Sequence, residues 1–211
     1  MRISLNKISR KYNYEWIFRD IDHEFVTGTQ YAILGSNGSG KSTLLQIISG
    51  HLHPSSGTIS YRKGENIIPV EEFFRYVTFS GPYLELIEEF TLEEMISFHS
   101  HFRKFRGNLD INGVIESTML TRNRNKPIKY FSSGMKQRVR LALALLTDSD
   151  VVLLDEPAAN LDRKGIEWYR SLIANHSNDR IIIVCSNSQK DEYEFCSQSI
   201  VIDDYKKTPG F

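Results

Sequence analysis

The sequence predicts an α/β fold in which a mostly parallel sheet is interrupted by a block of helices. Three features predict it. Val151-Val152-Leu153-Leu154 and Ile181-Ile182-Ile183-Val184 are continuous apolar runs of strand length, as expected of parallel strands covered on both faces. Gln30–Leu34 reads as a third buried strand, and it leads through a glycine-rich loop into a helix. Residues 90–147 then carry helical periodicity rather than strands, which reads as a helical insertion between strands.

Taken in order, residues 1–34 read as strands separated by turns. Ile3, Leu5 and Ile8, then Ile17, Ile21 and Phe25, supply apolar positions within polar-interrupted runs. Thr27-Gly28-Thr29 is a turn before the buried strand, and Leu44-Leu45-Gln46-Ile47-Ile48 belongs to the helix after the loop. Pro54-Ser55-Ser56-Gly57 is a turn, Thr58-Ile59-Ser60-Tyr61 a strand, and Tyr76-Val77-Thr78-Phe79 another. Thr91-Leu92-Glu93-Glu94 is a capping box opening a helix that runs to about Phe105. Helices are expected at 110–120 and 133–147. A further helix at 162–174 carries Ile166, Tyr169, Leu172 and Ile173 at helical spacing.

The loop after Leu34 reads Gly35-Ser36-Asn37-Gly38-Ser39-Gly40-Lys41-Ser42-Thr43, an uninterrupted G-x-x-x-x-G-K-[ST] pattern between a strand and a helix. The glycines let the backbone turn sharply and bring several N–H groups within reach of phosphate oxygens. The helix N-terminus adds unpaired donors and partial positive charge at the same place. Lys41 is expected on the β- and γ-phosphates and the Ser42 hydroxyl on Mg²⁺. These residues imply a nucleoside triphosphate site.

Composition narrows the setting. The 211 residues suit one sizeable domain with room for a subdomain, and 26 basic side chains balance 26 acidic ones. No basic footprint points to nucleic acid or anionic lipid. The two cysteines, Cys185 and Cys196, give no disulfide framework, which suits a reducing, intracellular compartment; Cys185 lies in an apolar run as a small hydrophobe. The N-terminus lacks a secretory apolar core, and no apolar stretch approaches the ~20 residues needed to cross a bilayer.

Three more motifs follow in order: Phe131-Ser132-Ser133-Gly134-Met135-Lys136-Gln137-Arg138 at a helix start; Val151-Val152-Leu153-Leu154-Asp155-Glu156, a strand ending in two acids; and Pro157-Ala158-Ala159-Asn160-Leu161-Asp162, a turn into the next helix. With the phosphate loop, this series resembles the ATP-binding subunit of an ABC transporter over residues 1–202. The resemblance implies one ABC-type ATP-binding domain over 1–211: a P-loop core with a mixed, mostly parallel sheet, an N-terminal antiparallel β subdomain and a helical subdomain at about 90–147. It implies ATP and Mg²⁺ as cofactors, a second ATPase subunit (identical or different) as partner, and a separate transmembrane permease. It also implies a place on the cytoplasmic face of the membrane, and no nucleic-acid partner.

The residues carry physical readings beside the resemblance. Asp155 at a strand end is placed to hold Mg²⁺ opposite Ser42, and Glu156 to polarise the water attacking the γ-phosphate. Ser132, Ser133, Gly134 and Met135 sit at a helix N-terminus, an anion site that ABC proteins offer to the partner's ATP; alone, an ordinary serine cap accounts for them. Asn160 and Asp162 resemble the loop that crosses the same interface. Tyr12 occupies the position where the family stacks an aromatic ring on adenine, with Tyr14 and Trp16 as nearby competitors.

Two family residues are missing. No glutamine lies between Gln46 and Gln137, so Ser80, in Phe79-Ser80-Gly81-Pro82-Tyr83, stands for the metal-sensing Gln. The last histidine is His176, and counting back from Phe195-Cys196 puts Asn187 where the family has a γ-phosphate His. Asn can hydrogen-bond a phosphate oxygen but carries no charge and shuttles no proton. With Glu156 kept, the expectation is an ATPase that binds well and turns over slowly. The alternatives are a soluble regulatory or nucleic-acid-associated ABC-type ATPase, which the neutral charge and missing basic linkers disfavour, and a kinase or GTPase, which lacks the 131–138 segment and carries an N-K-x-D string absent here. The aromatic-rich segment 83–105 is expected to begin the surface that docks on the permease.

Overall fold

The computed structural model describes residues 1–82, 84–187 and 189–206, and these form two compact units. The first comprises residues 1–79, 149–156 and 177 onward; the second comprises 80–148 and 157–176.

In the first unit, β1 (Arg2–Tyr12) and β2 (Glu15–Val26) form an antiparallel hairpin. Its two-residue connection has Asn13 at φ 52°, the left-handed backbone that a tight hairpin turn needs and Asn tolerates. With β4 (Ser56–Lys63) and β5 (Asn66–Ile68) the hairpin makes a four-stranded sheet ordered β2-β1-β4-β5. The second sheet is ordered β6-β7-β8-β3-β9, from β3 (Gln30–Leu34), β6 (Val77–Ser80), β7 (Val151–Asp155), β8 (Ile181–Ser186) and β9 (Gln198–Val201). β7, β8, β3 and β9 pair in parallel, and every residue of β7 and β8 is buried, which is why both read as unbroken apolar runs. Ile3, Ile8 and Phe25 from the first sheet, Ile33, Leu153 and Ile183 from the second, and Leu44, Leu45, Ile47 and Ile48 from α1 (Lys41–Ile48) share one core. A one-turn helix, α6 (Lys190–Tyr193), follows β8.

The second unit holds α2 (Leu92–Phe102), α3 (Ile111–Ser117), α4 (Ser133–Leu146) and α5 (Arg163–His176). Both halves of the expected capping box are formed: Glu94 N–H donates to Thr91 Oγ1 at 3.2 Å and Thr91 N–H donates to the Glu94 carboxylate at 2.8 Å. Helix α2 stops three residues before the expected end, because Arg103 adopts extended backbone (φ −140°, ψ 128°) and turns the chain out. Phe105 then bridges Thr147 and stacks on His99 at 5.5 Å, burying a ring that a continued helix would leave elsewhere. Likewise α3 ends at Ser117, followed by Met119 at φ 59°. Tyr83, the first residue of the expected docking segment, lies outside the described residues. No helix among the described residues is long and apolar enough to cross a membrane.

Candidate functional site

Strand register assembles the first half of the site. Leu34 of β3 pairs with Ser186 of β8, and Asp155 of β7 pairs with Cys185. Gly35, Glu156 and Asn187 therefore each leave the carboxyl end of three neighbouring parallel strands, where open α/β sheets place their ligands. The residues 35–43, 155–156 and 187 come together in this way from segments about 120 and 30 positions apart in the chain.

The loop itself is built for a close-fitting anion. Gly40 caps α1 at φ 107° and no side chain caps the helix, so the first-turn N–H groups are left for a ligand. A Cβ on Gly40 would lie 2.4 Å from Ile17 Cγ2, so the position excludes a side chain. Lys41 is 5% exposed, and its Nζ donates to the Gly35 and Ser36 carbonyls at 2.9 Å each. This curls the lysine back over the loop.

Ser42 lies in the first turn of the loop's helix, near the buried Asp155 carboxylate. Burial pushes the Asp155 carboxyl above its ordinary value; repulsion from Glu156 adds to this, while the Ser42 hydroxyl and Lys41 oppose it. One hydroxyl and one carboxylate near each other, beside a phosphate loop, suit Mg²⁺, which takes few protein ligands and completes its shell with water and phosphate oxygens. Glu156 is half-buried, sits at φ 48°, and donates its N–H to the Cys185 carbonyl at 3.0 Å. A non-glycine residue held in left-handed backbone is a strained element of the kind that gathers at working sites.

At the hairpin, Arg10 pairs with Phe18 and Lys11 with Trp16, leaving Ile17 as an extra, bulged residue. The bulge brings both Ile17 and Phe18 to Gly40. Tyr12 is half-exposed, with the Arg10 guanidinium 4.6 Å from its ring centre, and so lies on the Arg10–Phe18 face; Trp16 instead carries Lys11 and Arg19 on its ring. Tyr14 is fully solvent-exposed.

Ser80 closes β6, buried, with a hydroxyl that has no hydrogen-bond partner among the described residues. The remaining predicted residues lie in the second unit. Ser132 caps α4 by accepting from the Met135 N–H at 3.2 Å, and Ser133 is exposed beside it. A Cβ on Gly134 would lie 2.7 Å from the Asn160 carbonyl, so glycine is needed for the 157–162 turn to approach the helix. Asp162 caps α5 through the Gly165 N–H at 2.7 Å and faces Arg138 at 3.8 Å, both through Oδ1.

The sequence reading missed two contributors. Gln137, buried in α4, donates to the Pro157 carbonyl at 3.0 Å and ties the helix to the turn after Glu156. Its place one turn into a helix that starts at a serine cap was visible, but its partner was not. The Ser36 N–H donates to Asp203, which no local signal marks.

Comparison with known proteins gives a consistent result. The ABC transporter family profile matches residues 18–159. The cytochrome c biogenesis ATP-binding export protein CcmA of Brucella abortus (strain 2308) is 30% identical, with 88% of this chain and 85% of that protein aligned. A putative ABC transporter ATP-binding protein from Pyrococcus furiosus superposes with a TM-score of 0.83 at 20% identity, covering 98% of this chain and all of that one. The ATP-binding cassette MJ0796, solved as a dimer in a post-hydrolysis state with ADP and Pi, superposes with a TM-score of 0.79 at 23% identity, covering 94% and 93%. The profile match and the aligned length establish that the chain belongs to the ABC transporter family, as one of its nucleotide-binding ATPase subunits.

Proposed function

We propose that this subunit dimerises head-to-tail on ATP and drives a separate membrane permease from the cytoplasmic face, with slow turnover. The observation that carries the reading is the register that sets residues 35–43, Asp155, Glu156 and Asn187 at the ends of adjacent strands. The backbone N–H groups of residues 38–43 bind the phosphates, and Lys41 exchanges its two carbonyl partners for phosphate oxygens. Tyr12 supplies a face for adenine. Ser42 and Asp155 would hold Mg²⁺, which neutralises phosphate charge when bound. Glu156 accepts a proton from the attacking water, its position set by strained backbone and by the Cys185 carbonyl.

Ser132, Ser133, Gly134 and Met135 are offered to the nucleotide of a second subunit, with the 157–162 turn beside them; the dimeric relative MJ0796 makes that assembly a reasonable model for this chain. Asn187 and Ser80 account for the slow turnover. Each can accept or donate a hydrogen bond, but neither replaces the charge or reach of His and Gln. Glu156→Gln tests the assignment: it should retain Mg-ATP binding, abolish hydrolysis and trap a dimer in sedimentation. Persisting turnover in Glu156→Gln would remove Glu156 as the base.

A further inference from the structure

The β3–β9 register brings to the phosphate loop a residue that belongs to none of the four motifs. β9 runs parallel to β3 with Leu34 beside Val201. Two residues further along each strand, the Ser36 N–H donates to Asp203 Oδ2 at 3.2 Å. The Ser36 carbonyl, together with that of Gly35, accepts from Lys41 Nζ. Ser36 is therefore held at its N–H by one side chain and at its carbonyl by another. The second carboxylate oxygen of Asp203 receives Lys206 Nζ at 2.9 Å. The Lys206 pairing, the Ser36 N–H and the nearby Lys41 keep the Asp203 carboxyl below its usual range, so it is ionised at neutral pH.

An ionised acid on a loop that must receive a triphosphate is costly unless it does something else, because like charges repel over this range. Two features resolve the conflict. The carboxylate accepts at the first turn of the loop, ahead of the N–H groups of residues 38–43, so it takes no donor from the helix N-terminus. Its charge is also balanced locally by Lys206.

We propose that Asp203 is a positioning residue for nucleotide binding: it holds the Ser36 peptide so that the loop is formed before ATP arrives, while Lys206 offsets its charge. The inference rests on the reading of residues 35–43 as the nucleotide site. A loop that is already ordered does not lose that freedom on binding, so its affinity is higher than that of a loop that must be ordered by the ligand. Asn at 203 keeps an oxygen for the Ser36 N–H and drops the charge; Ala drops both.

The test is equilibrium titration of the full chain with Mg-ATP, with melting curves alongside. Asp203→Ala is expected to weaken binding about five- to tenfold, within the range of one ordinary net hydrogen bond. Asp203→Asn is expected to bind within about twofold of wild type, or tighter, since the acceptor remains. Lys206→Ala, a surface change that leaves the Ser36 contact in place, is expected to weaken binding at low salt and to match wild type at about 0.5 M salt, where exposed charges are screened. The proposal is overturned if Asp203→Ala binds like wild type, or if Asp203→Asn is as weak as Asp203→Ala. Should Asp203→Ala fail to fold, a salt-independent or absent effect in Lys206→Ala overturns it instead. Lys41→Ala in the same titration separates the two levels: unchanged affinity there removes the nucleotide site itself, whereas loss there with unaffected Asp203 variants removes only the role of Asp203.

Discussion

Replacing Gly134 by Ala tests whether the 131–138 motif needs glycine for packing. The added Cβ would lie 2.7 Å from the Asn160 carbonyl oxygen, whereas carbon–oxygen contacts settle at about 3.3–3.6 Å. Helix and turn must therefore part by roughly 0.6 Å or more. The turn cannot swing away freely: the Pro157 carbonyl is held by Gln137, Asp162 is tied to Gly165 and faces Arg138, and Asn160 already sits at φ 65°. Overpacking of this kind costs about 1–3 kcal/mol, and the better helix propensity of Ala returns up to about 1 kcal/mol. A net loss of about 1–2 kcal/mol corresponds to a fall of roughly 2–8 °C in melting temperature for a chain of this size. Melting of the nucleotide-free chain by circular dichroism measures it, with Mg-ATP titration and turnover in parallel. Affinity should stay within about twofold, because residues 35–43 belong to the other unit. Turnover should fall under the proposed function, in which this segment serves the partner's nucleotide and would be displaced. An unchanged melting temperature with normal turnover would refute the reasoning, since it would mean that the Asn160 carbonyl yields without cost.

Three further outcomes follow from the site and its surroundings. Lys41→Ala should abolish measurable Mg-ATP binding while leaving the melting temperature near wild type; retained affinity in an equilibrium titration would contradict the loop's geometry. Asn187→His should raise the single-turnover rate by about tenfold with little change in affinity, since the added charge acts where it develops in transfer; an unchanged rate would show that position 187 does not reach the phosphate. Burial, with Arg103 adding, pushes the His99 imidazole down to about 4. Its Nε2 contacts Thr147 Oγ1 at 2.8 Å, and since that hydroxyl donates to the Leu143 carbonyl, the imidazole must be the donor. Between about pH 4 and 6.5 the unfolded chain binds the extra proton, so stability present above 6.5 is lost as pH falls through that window. After discounting for partial exposure, the loss is roughly 1–2 kcal/mol. His99→Gln, which keeps a donor for Thr147, should flatten this acid limb in urea titrations; an unaltered limb would assign it to another group.

Much of the nucleotide site was legible because its signals are local. A strand, a glycine-rich loop and a helix N-terminus must be consecutive to make a phosphate cradle, so residues 30–48 declare themselves. β7 and β8 declare themselves because burial on both faces leaves no polar period, and α2 because a capping box is a four-residue signal. The ends of elements were less legible: α2 stops at Phe102 since burying Phe105 against His99 and Thr147 outweighs one more turn, and those partners are distant in sequence.

What only the tertiary structure decided are relations between segments that share no local pattern. Strand order places β3 between β8 and β9, and this alone brings Asn187 beside the loop and sets Asp203, 167 residues away, on the Ser36 N–H. The same holds for Gly134, which reads as a helix-start glycine until the Asn160 carbonyl is found against it, and for Asp162, whose carboxylate caps α5. The chain alone determines which residues can bind phosphate, because that chemistry needs particular donors at fixed short spacing. It does not determine which distant residues hold those donors in place, because pairing register and packing are set by the whole core at once.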